Sequence, residues 1–258
     1  MPAETTNRES TTDKMPIMEH LVEVRNRLFK SVAAIIVTTI LAFIFYKQIF
    51  LFLTGPAPDD LNLQTITIME PLSIFFRVCL TAGIVVAMPF LVYQLFAFVS
   101  PALTGKEKRY IYMILPAVAV MFFIGVAFAY YVALPRAMGF FATFGKDLVG
   151  ENGLSIAPTI SSYINIVTRL LLGVGLMFET PIIIMVLTRM GLVTPKWLAA
   201  RRKLWIVLAF VIAALITPTF DPINQTIIAL PLIVLLEMSI WLAKLVQRKE
   251  PSVATPES

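Results

Sequence analysis

Charge is scarce in this chain: 14% of its 258 residues are Asp, Glu, Lys or Arg, against about 25% in an ordinary soluble domain. With 58% apolar residues and a mean hydropathy of +0.83, a soluble enzyme is excluded, because a water-facing fold of this length cannot hide that much apolar surface. Cysteine is nearly absent. Cys79 alone permits neither an intrachain disulfide nor a thiolate zinc site, and it reads as lipid-facing or core filler. His20 is likewise the lone histidine, which rules out histidine-cluster metal sites and leaves a Ser-His-Asp triad only if that residue serves it. The chain also lacks G-x-S-x-G, H-E-x-x-H and a matched aspartate pair in apposed apolar segments, which argues against an intramembrane protease. No enzyme activity, cofactor or metal is expected.

Apolar runs are abundant. Six can be marked, at 28–53, 74–100, 111–134, 163–190, 204–216 and 223–242. The first four exceed the roughly 20 residues that a helix needs to cross a bilayer. The fifth falls short and Glu237 interrupts the sixth, so spans five and six are expected to thin the membrane or lean on a partner. The first run begins near Ser31, too far in and too long for the apolar part of a signal peptide, and it reads as a retained helix. Residues 1–15 and 248–258 are polar and are expected to be disordered tails around a membrane domain at 16–247.

A net charge of +5 and a pI near 9.4 would suit nucleic acid, yet the placement of the charges points elsewhere. When the runs are threaded alternately through a bilayer, all but five of the 21 Lys and Arg residues fall in the segments on the side of the N-terminus; the five are Lys47, Arg77, Arg136, Lys146 and Arg169. This is the positive-inside pattern, so both termini are expected in the cytoplasm, and a four- or five-helix count would spoil the alternation. The expected fold class is all-α, a polytopic integral membrane protein with six transmembrane helices, and no nucleic-acid partner is expected.

Pro16 opens a stretch in which Ile17, Leu21, Val24 and Leu28 recur at helical spacing, with Glu19, Glu23, Asn26, Arg27 and Lys30 on other faces. It is expected to be an amphipathic helix on the cytoplasmic surface before span one. Glu23 stands four residues before Arg27, the favourable order for a helix ion pair. In the loop Pro101–Arg109, Glu107 is the only acid beside Lys106, Lys108 and Arg109. It is either a first-turn carboxylate favoured by the dipole of helix three or a ligand for a cationic client. Glu179 lies inside span four, where an ionisable side chain is costly and is by default a functional hypothesis. Pro181, two residues on, lacks an amide and frees the carbonyl of Met177. The alternatives for Glu179 are a hydrogen-bonded carboxylic acid within the bundle or the proton or cation site of an ion-coupled secondary transporter. Against the transporter, there is no internal repeat, and Arg169 lies about 15 Å away along a helix, too far to pair.

The string His20-Leu-Val-Glu-Val-Arg-Asn-Arg-Leu28 resembles the HLxELRxRL opening of the TatC family, the membrane receptor of the twin-arginine protein translocase. Pro89-Phe-Leu-Val-Tyr-Gln-Leu-Phe-Ala-Phe98, with Pro101-Ala-Leu103 and Glu107, is similar to that family's second span and first cytoplasmic loop. Phe178-Glu-Thr-Pro181 is similar to its fourth-span FExP, and Thr217-Pro218, Asp221, Gln225, Pro231 and Glu237 resemble its last outer loop and sixth span. The resemblance covers about 17–247, and several motifs in one order are far more specific than any one alone. One departure stands out: the family usually reads T-P-P-D, whereas Thr217-Pro-Thr-Phe-Asp221 carries an extra residue.

The resemblance implies a concave, glove-shaped six-helix bundle in a prokaryotic plasma membrane that binds Arg-Arg signal peptides of folded cargo. It further implies assembly with single-span TatA and TatB subunits, self-association within the receptor complex, and transport driven by the proton-motive force. Glu23 and Glu107 match the signal-binding acids, with Arg25 and Phe98 beside them. Glu179, Thr217, Asp221 and Gln225 match the polar positions that meet partner helices; for the last three, ordinary loop capping is the alternative. The acid assignment agrees with chemistry, since a guanidinium fork meets a carboxylate bidentately and a Lys point charge fits less well. Arg25, Arg27, Lys106, Lys108 and Arg109 work against a general cation trap. Among lesser features, Arg77 and Arg169 are expected to snorkel, Glu237 to pair with Lys244 or reach head groups, and Thr194-Pro195 to start a helix. Arg201-Arg-Lys203 is expected to anchor on membrane lipid.

Overall fold

A computed structural model describes residues 17–57, 63–99, 105–149, 158–217 and 222–246; both predicted tails lie outside the described residues, as do Glu107's side chain and all of Asp221. The described part is helical: α1 (Ile17–Ile44), α2 (Tyr46–Thr54), α3 (Glu70–Val99), α4 (Gly105–Phe128), α5 (Leu134–Val149), α6 (Ile160–Phe178), α7 (Thr180–Arg189), α8 (Pro195–Ala200), α9 (Arg202–Ile216) and α10 (Pro222–Val246). A π-helical turn, Ala129–Ala133, joins α4 to α5. Pro135 explains the widened turn, because it has no amide to bond the carbonyl of Tyr131.

Five stretches among the described residues are long and apolar enough to cross a membrane: Leu21–Ile44, Glu70–Phe98, Ile114–Phe141, Ile160–Arg189 and Gln225–Val246. The fifth predicted span corresponds to α9, which has 15 residues and falls below that length. The expectation for the last run needs correction. Glu237 does not interrupt α10, which continues for 25 residues because the carboxylate turns outward onto Arg202: Arg202 Nε and Nη2 lie 2.8 and 3.0 Å from its two oxygens. Lys244 is not its partner. Nor is the N-terminal amphipathic stretch a separate surface helix, since α1 runs unbroken from Ile17 to Ile44. The first predicted span instead divides at Phe45, beyond which α2 is pinned from outside the segment. Tyr130 Oη donates to the Phe52 carbonyl at 2.6 Å and Tyr163 Oη to that of Leu53 at 2.9 Å.

α6 is the central pillar. Tyr163, Ile164, Val167, Leu170, Leu171, Val174 and Met177 are all buried, packed with Leu53, Val78, Leu134, Ala213 and Leu232 from surrounding helices. Two close crossings tighten the bundle. A Cβ added at Gly83 would lie 2.8 Å from Thr39 Cα, and Thr38 Oγ1 donates to the Gly83 carbonyl at 2.8 Å, so α1 and α3 touch backbone to backbone, as small residues allow in a bilayer. Between α4 and α6, Gly125 and Gly175 oppose each other, each against an aromatic ring, Phe178 and Phe122. Gly191, at φ 75°, closes α7 with the Leu192 amide on the Leu187 carbonyl at 3.0 Å, a left-handed cap that glycine adopts without steric penalty. Thr194 then caps α8, accepting from the Trp197 amide at 3.2 Å, with Pro195 in the first turn, as its sequence predicts.

Candidate functional site

Two polar sites stand out on this apolar frame. The first is where α1 begins and α3 ends. Glu23 is on α1, and four residues later Arg27 returns on the same face. Arg27 Nε donates to Glu23 Oε1 at 2.9 Å and Nη2 to the same oxygen at 2.5 Å. Arg27 Nη1 also reaches Gln94 Oε1 on α3 at 3.4 Å. Phe98, one turn beyond Gln94, is half-buried. Arg25 is exposed and, two residues from Glu23, faces another side of the helix. Glu107 is the third residue of α4, which leaves from the same end of the bundle as the close of α3. Gln94 is buried and was not singled out from the sequence; a glutamine inside an otherwise apolar run was the available signal.

The second site is the break between α6 and α7. Glu179 terminates α6, its amide bonding the Leu176 carbonyl at 3.1 Å, and Pro181 opens the first turn of α7. The predicted polar break is therefore present. Glu179 is 1% exposed, and neither carboxyl oxygen has a hydrogen-bond partner among the described residues. Beside it, an apolar cleft is lined by Thr180, Ile184, Leu208, Ile212 and Leu232, among others. Ile216 packs on Gly173 of α6, about 9 Å along the α6 axis from Glu179, and Thr217 follows it. Thr217 is buried, and its hydroxyl donates to the Ala213 carbonyl at 2.7 Å. Gln225 Nε2 donates to the Phe210 carbonyl at 2.7 Å, joining α10 to α9. Thr217 and Gln225 thus both bond carbonyls of α9, the helix whose end packs on α6.

A third polar site was missed. Glu70, at the first turn of α3, is 8% exposed and accepts from the amides of Ile66 at 2.8 Å, Thr67 at 3.5 Å and Ser161 at 3.0 Å. Ser161 is in the first turn of α6, where amides lack helical partners and favour an anion. Next to it, Gln64 exchanges backbone hydrogen bonds with Pro158 and Ile160 at 3.1 Å. Glu70-Pro71 at the head of an apolar run signalled a helix start, but not the second helix. Among the described residues no group of three His, Cys, Asp or Glu side chains is placed to hold a metal ion.

These features define an all-helical, multi-pass membrane protein. The Sec-independent protein translocase protein (TatC) family model matches residues 19–231. The TatC protein of Aquifex aeolicus is 38% identical over 243 residues, covering 93% of this chain and 99% of that one. TatC of Haemophilus influenzae is 34% identical, covering 94% of each, and TatCy of Bacillus subtilis is 35% identical, covering 92% of each. A crystal structure of the twin arginine translocase receptor TatC superimposes with a TM-score of 0.76 at 37% identity, covering 89% of this chain and all of that one. The chain belongs to the TatC family, a family of protein translocase components rather than of enzymes.

Proposed function

We propose that this chain is the receptor subunit of a twin-arginine translocase, binding Arg-Arg signal peptides of folded cargo at the cytoplasmic face. The observation that carries this reading is the guanidinium already seated on Glu23: the carboxylate is oriented and accessible enough to hold an arginine fork. Adjacent residues of an extended peptide point to opposite sides, so two arginines need acceptors on two walls. Glu23 on α1 and Glu107 on α4 are the two acids, with Phe98 and Arg25 bordering them. Both termini lie in the cytoplasm, and α9 serves as the short fifth of six spans in a glove-shaped bundle of the plasma membrane.

The Glu179 break, with Thr217, Asp221 and Gln225, is where single-span TatA and TatB helices dock. A carboxyl without a partner among the described residues, in a low-dielectric setting, gains most from a polar group brought by another helix. Assembly of these subunits, and of further copies of the receptor, forms a transient pore driven by the proton-motive force.

The test is binding of a fluorescent Arg-Arg peptide and its Lys-Lys twin to the detergent-solubilised chain. The native chain is expected to prefer Arg-Arg, and Glu23→Ala or Glu107→Ala is expected to abolish binding while the protein stays folded. Unchanged affinity in both variants removes the assignment.

A further inference from the structure

Glu23 is not vacant: Arg27 holds it with two donors, both on Oε1. That is poorer geometry than a fork laid across both carboxylate oxygens. The ion pair is neither sealed nor fully solvated, since the two side chains keep 25% and 24% of their surface, so an incoming guanidinium can reach the carboxylate. Arg27 also has a second acceptor, Gln94 Oε1 on α3 at 3.4 Å. Gln94 is 6% exposed and cannot follow Arg27 about, so it marks a fixed place to which the guanidinium can retreat.

Resting on the receptor reading above, we infer that Arg27 is an internal occupant of the arginine site. It holds Glu23 until a ligand cation displaces it, and so lowers the affinity of the site for every cationic ligand by the same factor, leaving only the stronger contact of an arginine fork able to compete. The exchange replaces one charge-assisted contact by another, so a ligand succeeds only where its own contact is better than the one it removes. An arginine does this by spanning both oxygens, while the displaced Arg27 keeps Gln94 as a partner and is not left unpaired. A lysine ammonium has no fork and is more strongly hydrated, so it does not recover what it displaces. Without the occupant, Glu23 would attract any cation.

A purely structural i,i+4 pair would add a little helix stability and leave ligand affinity untouched, which separates the two accounts. The experiment measures Arg-Arg and Lys-Lys peptide affinities for the full chain in detergent, comparing the native protein with Arg27→Gln, Arg27→Lys and Glu23→Gln, each checked for an unchanged elution profile. Arg27→Gln is expected to bind both peptides more tightly and by the same factor, about tenfold, a shift of about 1.4 kcal/mol, so that Lys-Lys binding rises in step with Arg-Arg. Arg27→Lys, a weaker occupant, is expected to fall in between. Weaker or unchanged binding of both peptides by a folded Arg27→Gln protein overturns the inference. Glu23→Gln tests the receptor reading separately. If it binds like the native protein, the site assignment fails and the inference with it; if it loses binding while Arg27→Gln binds no more tightly than the native protein, the inference alone fails.

Discussion

Glu70 and Glu179 are both buried glutamates at helix ends, 8% and 1% exposed, and they are held in opposite ways. Glu70 accepts from three backbone amides belonging to two segments, while Glu179 has no partner among the described residues. A buried carboxylate surrounded by helix-start amides is a structural clamp, since it satisfies donors that would otherwise be orphaned. A buried carboxyl without partners destabilises the bundle around it, and its retention at a proline break beside an apolar cleft fits a group kept for something that arrives later. Glu237 completes the series: half-exposed at 46% and paired with Arg202, it is solvated enough to matter little.

The comparison is broken most severely by Glu179→Leu. Transport of an Arg-Arg reporter is expected to fall by about tenfold or more, while the solubilised protein gains about 1–3 kcal/mol, the range recovered when an unsatisfied buried polar group is removed. Thermal unfolding in detergent together with an export assay checks this, and a loss of stability would mean that Glu179 is already partnered. Glu70→Gln is expected to act in the opposite direction, lowering Tm by a few degrees with little effect on the intrinsic signal-binding affinity. The Ser161 and Ile66 amides should then exchange faster with solvent. Unaltered exchange at Ser161 would show that the α3 to α6 junction does not depend on the charge. Glu237→Gln should have the smallest effect, within about 1 kcal/mol, and shrinking as salt is raised because the pair faces solvent. Tm measured at low and high salt distinguishes this from a buried role.

Several features are legible from residue order alone. Five of the six apolar runs meet helices long and apolar enough to cross a membrane, legible because a bilayer requires a long uncharged helix, and the Pro181 break and the Thr194 cap follow from local stereochemistry. Less legible are contacts distant along the chain. Glu70 and Ser161 are 91 residues apart and Arg27 and Gln94 are 67 apart, with no periodicity to link them. Treating Glu237 as an interruption assumed an isolated helix, whereas its pairing with Arg202 lets α10 run on. The division at Phe45 likewise depends on Tyr130 and Tyr163, whose hydroxyls anchor α2 from two other helices.

What residue order determined by itself was the solvent of the protein and the material of its fold: too little charge and too much apolar surface for water, and helices because each must satisfy its own backbone in lipid. What only the tertiary structure decided was the state of each polar group. Whether a glutamate is clamped, paired or left waiting depends on which amides and cations neighbouring helices bring within about 3 Å of it, and that neighbourhood exists only once the helices have packed.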